Sequence, residues 1–296
     1  MNIHQKWPGN PLGFLLLIIV LLSGLATCMG IFSIGGEGSY EYQSIRGKTV
    51  TIYGKGLYRH MSAEVAPQGI AQDYVTLLIG IPLLVISFFK SRSGSLRARY
   101  LLAGTLGYFL VTYLFYTVMG MYNEMFLVYV ALAGASFYAF LMTILSFEPS
   151  SLKHAFDEAA PLRAGGIFLI ITTICIAMLW LSIVVPPLLD GSIIPVQVEH
   201  YTTLIVQGLD LGILLPAAFI SGVSMIRKKP FGYLFGPVYL VFLSLLMTAL
   251  SAKLVAMNSL GYPVVPAIFI IPVFNLAAVI FSVVILKNIN DSGTGS

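Results

Sequence analysis

Eight separate stretches of this chain are each about 20 residues long and nearly free of charge. That is the length a helix needs to cross the hydrocarbon core of a bilayer. The stretches fall at 13–34, 72–90, 100–120, 124–147, 165–187, 202–225, 232–255 and 265–287. In lipid every backbone N–H and C=O must be satisfied inside the protein, which leaves only helices or a closed barrel. Barrel strands are about 10 residues long, so these segments are too long for them. The expected fold is an all-α membrane protein, a bundle of eight transmembrane helices in one domain over residues 1–290. Only 9% of residues are charged, against about 25% in soluble domains. No basic run interleaved with aromatics points to nucleic acid, and membrane lipid is the expected surrounding partner. The first stretch follows Lys6 and has the outline of a signal peptide. It is too long for one and has no small-x-small cleavage site, so a retained helix is expected.

Lysine and arginine placement orients such a bundle, because basic loops stay on the cytoplasmic side. Threading eight spans puts eleven basic residues on one side: Lys6, Lys90, Arg92, Arg97, Arg99, Lys153, Arg163, Arg227, Lys228, Lys229 and Lys287. Five fall on the other: Arg46, Lys48, Lys55, Arg59 and Lys253. Both termini are therefore expected in the cytoplasm, with residues 291–296 as a disordered polar tail. The one large outer segment, residues 35–71, is expected to form a small cap. Within it Thr49-Val-Thr-Ile-Tyr53 alternates and is β-branched, so it reads as a strand. Gly54-Lys-Gly56 is expected to turn it back along Leu57–Arg59 as a hairpin.

The two halves of four spans show parallel features. Each has a long outer connection with a histidine, His60 or His200. Each follows it with a span carrying an aspartate and then a proline, Asp73…Pro82 and Asp210…Pro216. The run from Arg97 through Tyr108 also lines up with that from Lys228 through Tyr239. A parallel 4+4 repeat, its halves related by an axis along the membrane normal, is expected.

Three runs carry a resemblance. They are Tyr53-Gly-Lys-Gly-Leu-Tyr-Arg59 with Ala71-Gln-Asp73, Gly104 to Tyr129, and Gln207-Gly-Leu-Asp-Leu-Gly212. Together they resemble a family of uncharacterised prokaryotic multi-pass integral membrane proteins with no assigned activity. The resemblance implies a prokaryotic cytoplasmic (inner) membrane and carries over no catalytic residue.

An ionisable residue at membrane depth is costly and usually marks a site with a partner. Asp210 is the sharpest case. Gly208 and Gly212 flank it at GxxxG spacing, which suggests close approach of a neighbouring helix. Its expected partners are Lys253, Gln207 or a tyrosine of the third or fourth span. Asp73, Glu124 and Asn123 join Asp210, Gln207 and Lys253 as ligand-binding candidates lining an outward-facing polar pocket. For Asp73 and Glu124 a plainer reading competes, in which an anion simply favours the positive end of a helix. Tyr113, Tyr116 and Tyr129 lie too deep to be interfacial and are expected to hydrogen-bond between helices or line a cavity. His60 and His200 are isolated and lack the close ligand spacing of a zinc site, so they are weak metal candidates and no cofactor is expected. Cys28 and Cys175 sit within apolar spans and read as small packing residues, with no basic neighbour to activate them. The favoured function is binding or translocation of a small solute or lipid. A membrane-embedded metal-dependent enzyme and a sensory or accessory subunit are the alternatives.

Overall fold

The computed structural model describes residues 10–291, so Lys6 and residues 292–296 lie outside the described part. Eight helices are long and apolar enough to cross a membrane: α1 Asn10–Phe32, α2 Ala66–Arg92, α3 Leu96–Val118, α4 Phe126–Leu145, α5 Leu162–Leu189, α6 Ile205–Ile226, α7 Pro230–Ser259 and α8 Ala267–Lys287. All eight expected spans are present. Helices α2, α5 and α7 run longer than hydropathy suggests. Helix α2 begins at Ala66 because Pro67 sits in its first turn, where a missing N–H costs nothing. Helix α7 continues to Ser259, well past Lys253.

Helices α3 and α7 form the centre of the bundle. Of the most apolar stretch of α3, 56% is buried, against 17% for α5 and α8, so the latter two face outward along most of their length. The central crossing is close because Gly104 lacks a side chain. A Cβ there would lie 2.4 Å from the Cβ of Val241 and 2.8 Å from the carbonyl oxygen of Val238. Two apolar clusters meet at this crossing. One holds Leu12, Ile19, Leu106, Phe109 and Leu132 with Phe242 and Leu245 of α7. The other joins Tyr100 and Ala103 of α3 to Leu169, Met225, Leu240 and Ile285.

The small-residue contact expected around Gly208 and Gly212 is not formed. Both are exposed, and a Cβ at either would meet nothing within 4 Å. The close approach occurs one helix face away, between Gly166 of α5 and Gly222 of α6. A Cβ on either would lie 2.6–2.7 Å from the other's carbonyl oxygen. Spacing alone does not say which face of a helix meets a neighbour, so it marked the wrong pair. Cys28 and Cys175 are also exposed on the bundle surface, not buried in its packing as expected.

Both ends of the described chain lie at one end of the bundle. Asn10 and Gly13 of α1 line a groove with Phe88 and Arg92 at the end of α2. At the other terminus Asp291 is engaged rather than loose. Its carboxylate accepts from the backbone N–H groups of Leu96 (2.9 Å) and Arg97 (3.2 Å) and from the Ser95 hydroxyl (2.9 Å). This caps the positive end of α3 with an anion. The segment before it threads past the connection between α4 and α5, with Asn290 N–H donating to Ala155 and Asp157 N–H to Asn288.

At the opposite end sits the cap. Its hairpin pairs β1 (Tyr40–Gln43) with β2 (Thr49–Ile52) in antiparallel register. The expected strand is there, but its main partner lies upstream rather than downstream. The downstream return is also made, in weaker form: Tyr53 N–H donates to Met61, Gly54 N–H to Arg59 and Ala63 N–H to Thr51. Gly54 fits this turn because its φ is +73° and a Cβ would lie 1.7 Å from the Gly38 carbonyl oxygen.

Candidate functional site

Two helices, α2 and α6, break their regular winding in the same way. Each widens into a π-turn, at Thr76–Gly80 and Asp210–Leu214, and each has a proline two residues later, Pro82 and Pro216. Such turns in α-helices are frequent at functional sites. A tyrosine from the next helix pins each one. The hydroxyls of Tyr108 on α3 and Thr76 lie 2.8 Å apart. The Tyr239 hydroxyl on α7 donates to the Leu214 carbonyl at 2.8 Å. Aligning the π-turns corrects the expected correspondence of the aspartates. Asp73 precedes Pro82 by nine residues and Asp210 precedes Pro216 by six. Asp210 therefore matches Thr76 in position, and Asp73 matches Gln207.

Asp73 is sealed, at 1% exposure. The Tyr58 hydroxyl, from the cap, donates to its Oδ2 at 2.5 Å, and the Tyr116 hydroxyl lies 3.2 Å from its Oδ1. Burial and the adjacent Asp73 charge push the Tyr58 phenol well above the ordinary tyrosine range, so it stays a donor. Gly30 of α1 makes room for this contact, since a Cβ there would lie 1.8 Å from Oδ2. Next to it, the Gln72 amide donates to Tyr108 (2.8 Å) and Thr112 (3.2 Å). The rings of Tyr113, Tyr116 and Tyr129 contact one another with centroids 5.2–6.2 Å apart. Of these three only Tyr116 hydrogen-bonds across helices, because the buried hydroxyls of Tyr113 and Tyr129 have no partner in hydrogen-bonding geometry.

Asp210 is half-buried and points inward, but its partner is not among those expected. The indole N–H of Trp180, on α5, donates to Asp210 Oδ2 at 2.8 Å. The sequence did offer a signal. A tryptophan within a span needs an acceptor for its N–H, and Trp180 occupies the cap half of the neighbouring helix. On the other side of Asp210 is a cavity of about 30 Å³, lined also by Thr172, Thr173, Leu214 and Tyr239.

Lys253, on α7, lies within electrostatic range of both Asp73 and Asp210. Among the described residues it makes no direct ion pair and no side-chain hydrogen bond. The extension of α7 to Ser259 places Lys253 below the helix end, removing the depth mismatch that a shorter helix would create. One acid from each half thus shares a single lysine.

The other candidates fall elsewhere. Gln207 is half-buried and forms no side-chain hydrogen bond among the described residues. Glu124 is on the surface, paired with Arg59 of the cap. That pairing holds its carboxyl below the usual range. Asn123 turns its side chain to its own loop, where Oδ1 accepts from Met125 N–H at 2.9 Å. Glu124 is thus a joint between cap and helix, and Asn123 braces its own loop.

His60 and His200 do meet, but through backbone: His200 Nε2 lies 3.1 Å from the His60 carbonyl oxygen. No group of three or more His, Cys, Asp or Glu converges among the described residues. This contact belongs to a clamp between the cap and the connection from α5 to α6. Arg46 donates to the carbonyls of Tyr201 (2.8 Å) and Thr202 (3.1 Å), and Ser62 N–H donates to the Tyr201 hydroxyl (3.2 Å). Glu64 faces Glu199 nearby. Burial first, and the Glu199 charge second, push its carboxyl up. The cap, part of the first half, thereby holds an outer loop of the second half above the site.

Comparison with known proteins adds no relative: no family model, no curated protein and no solved structure matches the chain.

Proposed function

We propose that this eight-span membrane protein binds and translocates a small solute or lipid through a polar site made by Asp73, Asp210 and Lys253. The observation that carries the reading is the pair of π-turns, at Thr76–Gly80 and Asp210–Leu214, each close to an inward-pointing acid and each followed by a proline. Ionisable groups held inside a membrane bundle usually mark a substrate or ion path. The two π-turned, proline-bearing helices supply segments whose winding can change. Discontinuous helices at the interface between repeats are a common way to build transporter sites.

The repeat belongs to this proposal. So do a prokaryotic cytoplasmic membrane, cytoplasmic termini and membership of the resembled family. A reporter fused after Ser296 tests the orientation. A cytoplasmic signal fits, and a signal from the opposite side overturns it. For the site, purified protein is screened by thermal shift against small zwitterions, organic anions, amines and soluble lipid headgroups. At least one class should stabilise it. That response should vanish in Asp73→Asn, Lys253→Gln and Asp210→Asn proteins that still unfold cooperatively. No response to any class, or one unchanged in all three variants, contradicts the reading.

A further inference from the structure

The cavity beside Asp210 has a volume of about 30 Å³, enough for one or two waters at roughly 10–15 Å³ each. Its polar lining is Asp210, Thr172, Thr173 and Tyr239, and the rest is leucine, isoleucine and alanine.

The two threonines depart from the protein's usual pattern, as do Ser91 and Ser136. Serine and threonine hydroxyls in membrane helices normally bond a carbonyl one turn back. Thr27, Thr76, Thr105, Thr117, Thr143 and Thr248 all do so here. Thr172 and Thr173 do not. They are 3% and 7% exposed, and their hydroxyl oxygens are buried without any hydrogen-bond partner. A buried unpaired hydroxyl costs about 1–3 kcal/mol, and two adjacent ones at the same small cavity call for an occupant.

An anion is disfavoured by the Asp210 carboxylate in the lining, and the indole and phenol donors there are already committed. The Trp180 N–H is bound to Asp210 Oδ2 and the Tyr239 hydroxyl to the Leu214 carbonyl. Oxygen is what remains: the second carboxylate oxygen of Asp210 and the two threonine hydroxyls. An all-oxygen set suits a hard cation. One carboxylate matches one positive charge, whereas calcium sites gather six to eight oxygens, usually from several carboxylates.

The geometry points to a binding site for a single desolvated monovalent cation of sodium size, held by Asp210, Thr172 and Thr173 at the π-turn of α6. The site stands on the cavity and its unpaired hydroxyls, and it holds whether or not the protein moves a solute.

The test uses full-length purified protein in detergent, exchanged into choline chloride and titrated with sodium chloride at constant ionic strength. Thermal stability should rise saturably with sodium and much less with potassium. In a Thr172→Val, Thr173→Val protein, which keeps side-chain shape, half-saturation should move up at least about tenfold, the scale on which metal sites respond to lost supporting groups. Asp210→Asn should abolish the response, and if that variant misfolds the threonine pair carries the test. Absence of a saturable sodium effect over the choline control means that the cavity holds only water, and overturns the proposal. An equal sodium response in the threonine variant overturns it too.

Discussion

The two π-turned helices sit in matching places, yet their surroundings differ. In the first half the polar side chains of α2 at the π-turn are tied down. Asp73 takes hydroxyls from Tyr58 and Tyr116, Gln72 is held by Tyr108 and Thr112, and α1 presses against the carboxylate at Gly30. In the second half Asp210 has one donor, Trp180, an open cavity on one side and no side-chain neighbour at Gly208 or Gly212. Dense, fully satisfied networks rigidify, and sparsely packed segments with few contacts open first. The same backbone device is thus tightly held in one half and sparsely packed in the other.

Glycine substitutions should break this comparison most sharply. Gly30→Ala puts a Cβ 1.8 Å from Asp73 Oδ2, and overpacking of this kind should cost about 3 kcal/mol. Gly212→Ala meets nothing and should stay within about 0.5 kcal/mol of the parent. Thermal unfolding of the purified proteins reads both, and equal effects would erase the distinction between the halves.

The next largest difference concerns the acids. Asp73→Ala leaves the buried Tyr58 hydroxyl without its acceptor, which should cost about 2 kcal/mol. Asp210→Ala orphans only the half-buried Trp180 N–H and should cost about 1 kcal/mol or less. The more damaging substitution to stability should therefore not be the one at the cation site. Trp180→Phe should cost about as little as Asp210→Ala, and combining the two should add almost nothing, since both remove one interaction.

These outcomes bear on what could be read from the sequence. Span number followed from bilayer thickness alone, a constraint strong enough to survive without any relative. The cap strand Thr49–Ile52 was visible in its alternation, but its partner depends on loop closure, which composition does not encode. Asp73 looked like a helix-end residue because hydropathy started α2 too late. The six residues from Ala66 to Ala71, begun by Pro67, push it inside the protein. Lys253 was recognisable as an oddity, but its place within electrostatic range of both acids needed the full length of α7. The GxxxG pair misled because spacing carries no information about helix rotation. Thr172 and Thr173 look like ordinary span residues, and only the structure brings their unpaired hydroxyls to a cavity with Asp210.

The smallest expected effect lies in the clamp above the site. Glu64 has its carboxyl raised by burial and then by Glu199. Below the ordinary range the carboxyl is protonated both folded and unfolded, and no penalty arises. As pH climbs from about 4.5, the model-compound value, through the raised folded value, the folded state must give up a proton it holds more tightly. Stability falls over that window. Melting temperature should therefore decline slightly from acid to neutral pH, and the decline should shrink in Glu64→Gln.

The central claim is that Lys253 lines a wet pocket opening toward the cap end, away from the termini. It is tested most directly by cysteine accessibility. In a Cys28→Ser, Cys175→Ser background, Lys253→Cys is exposed to a membrane-impermeant maleimide in sealed vesicles of each orientation. Labelling from the cap side, and not from the side that carries the termini, is the predicted result. A cysteine at this position that resists the reagent from both sides, or reacts only from the terminal side, would contradict it.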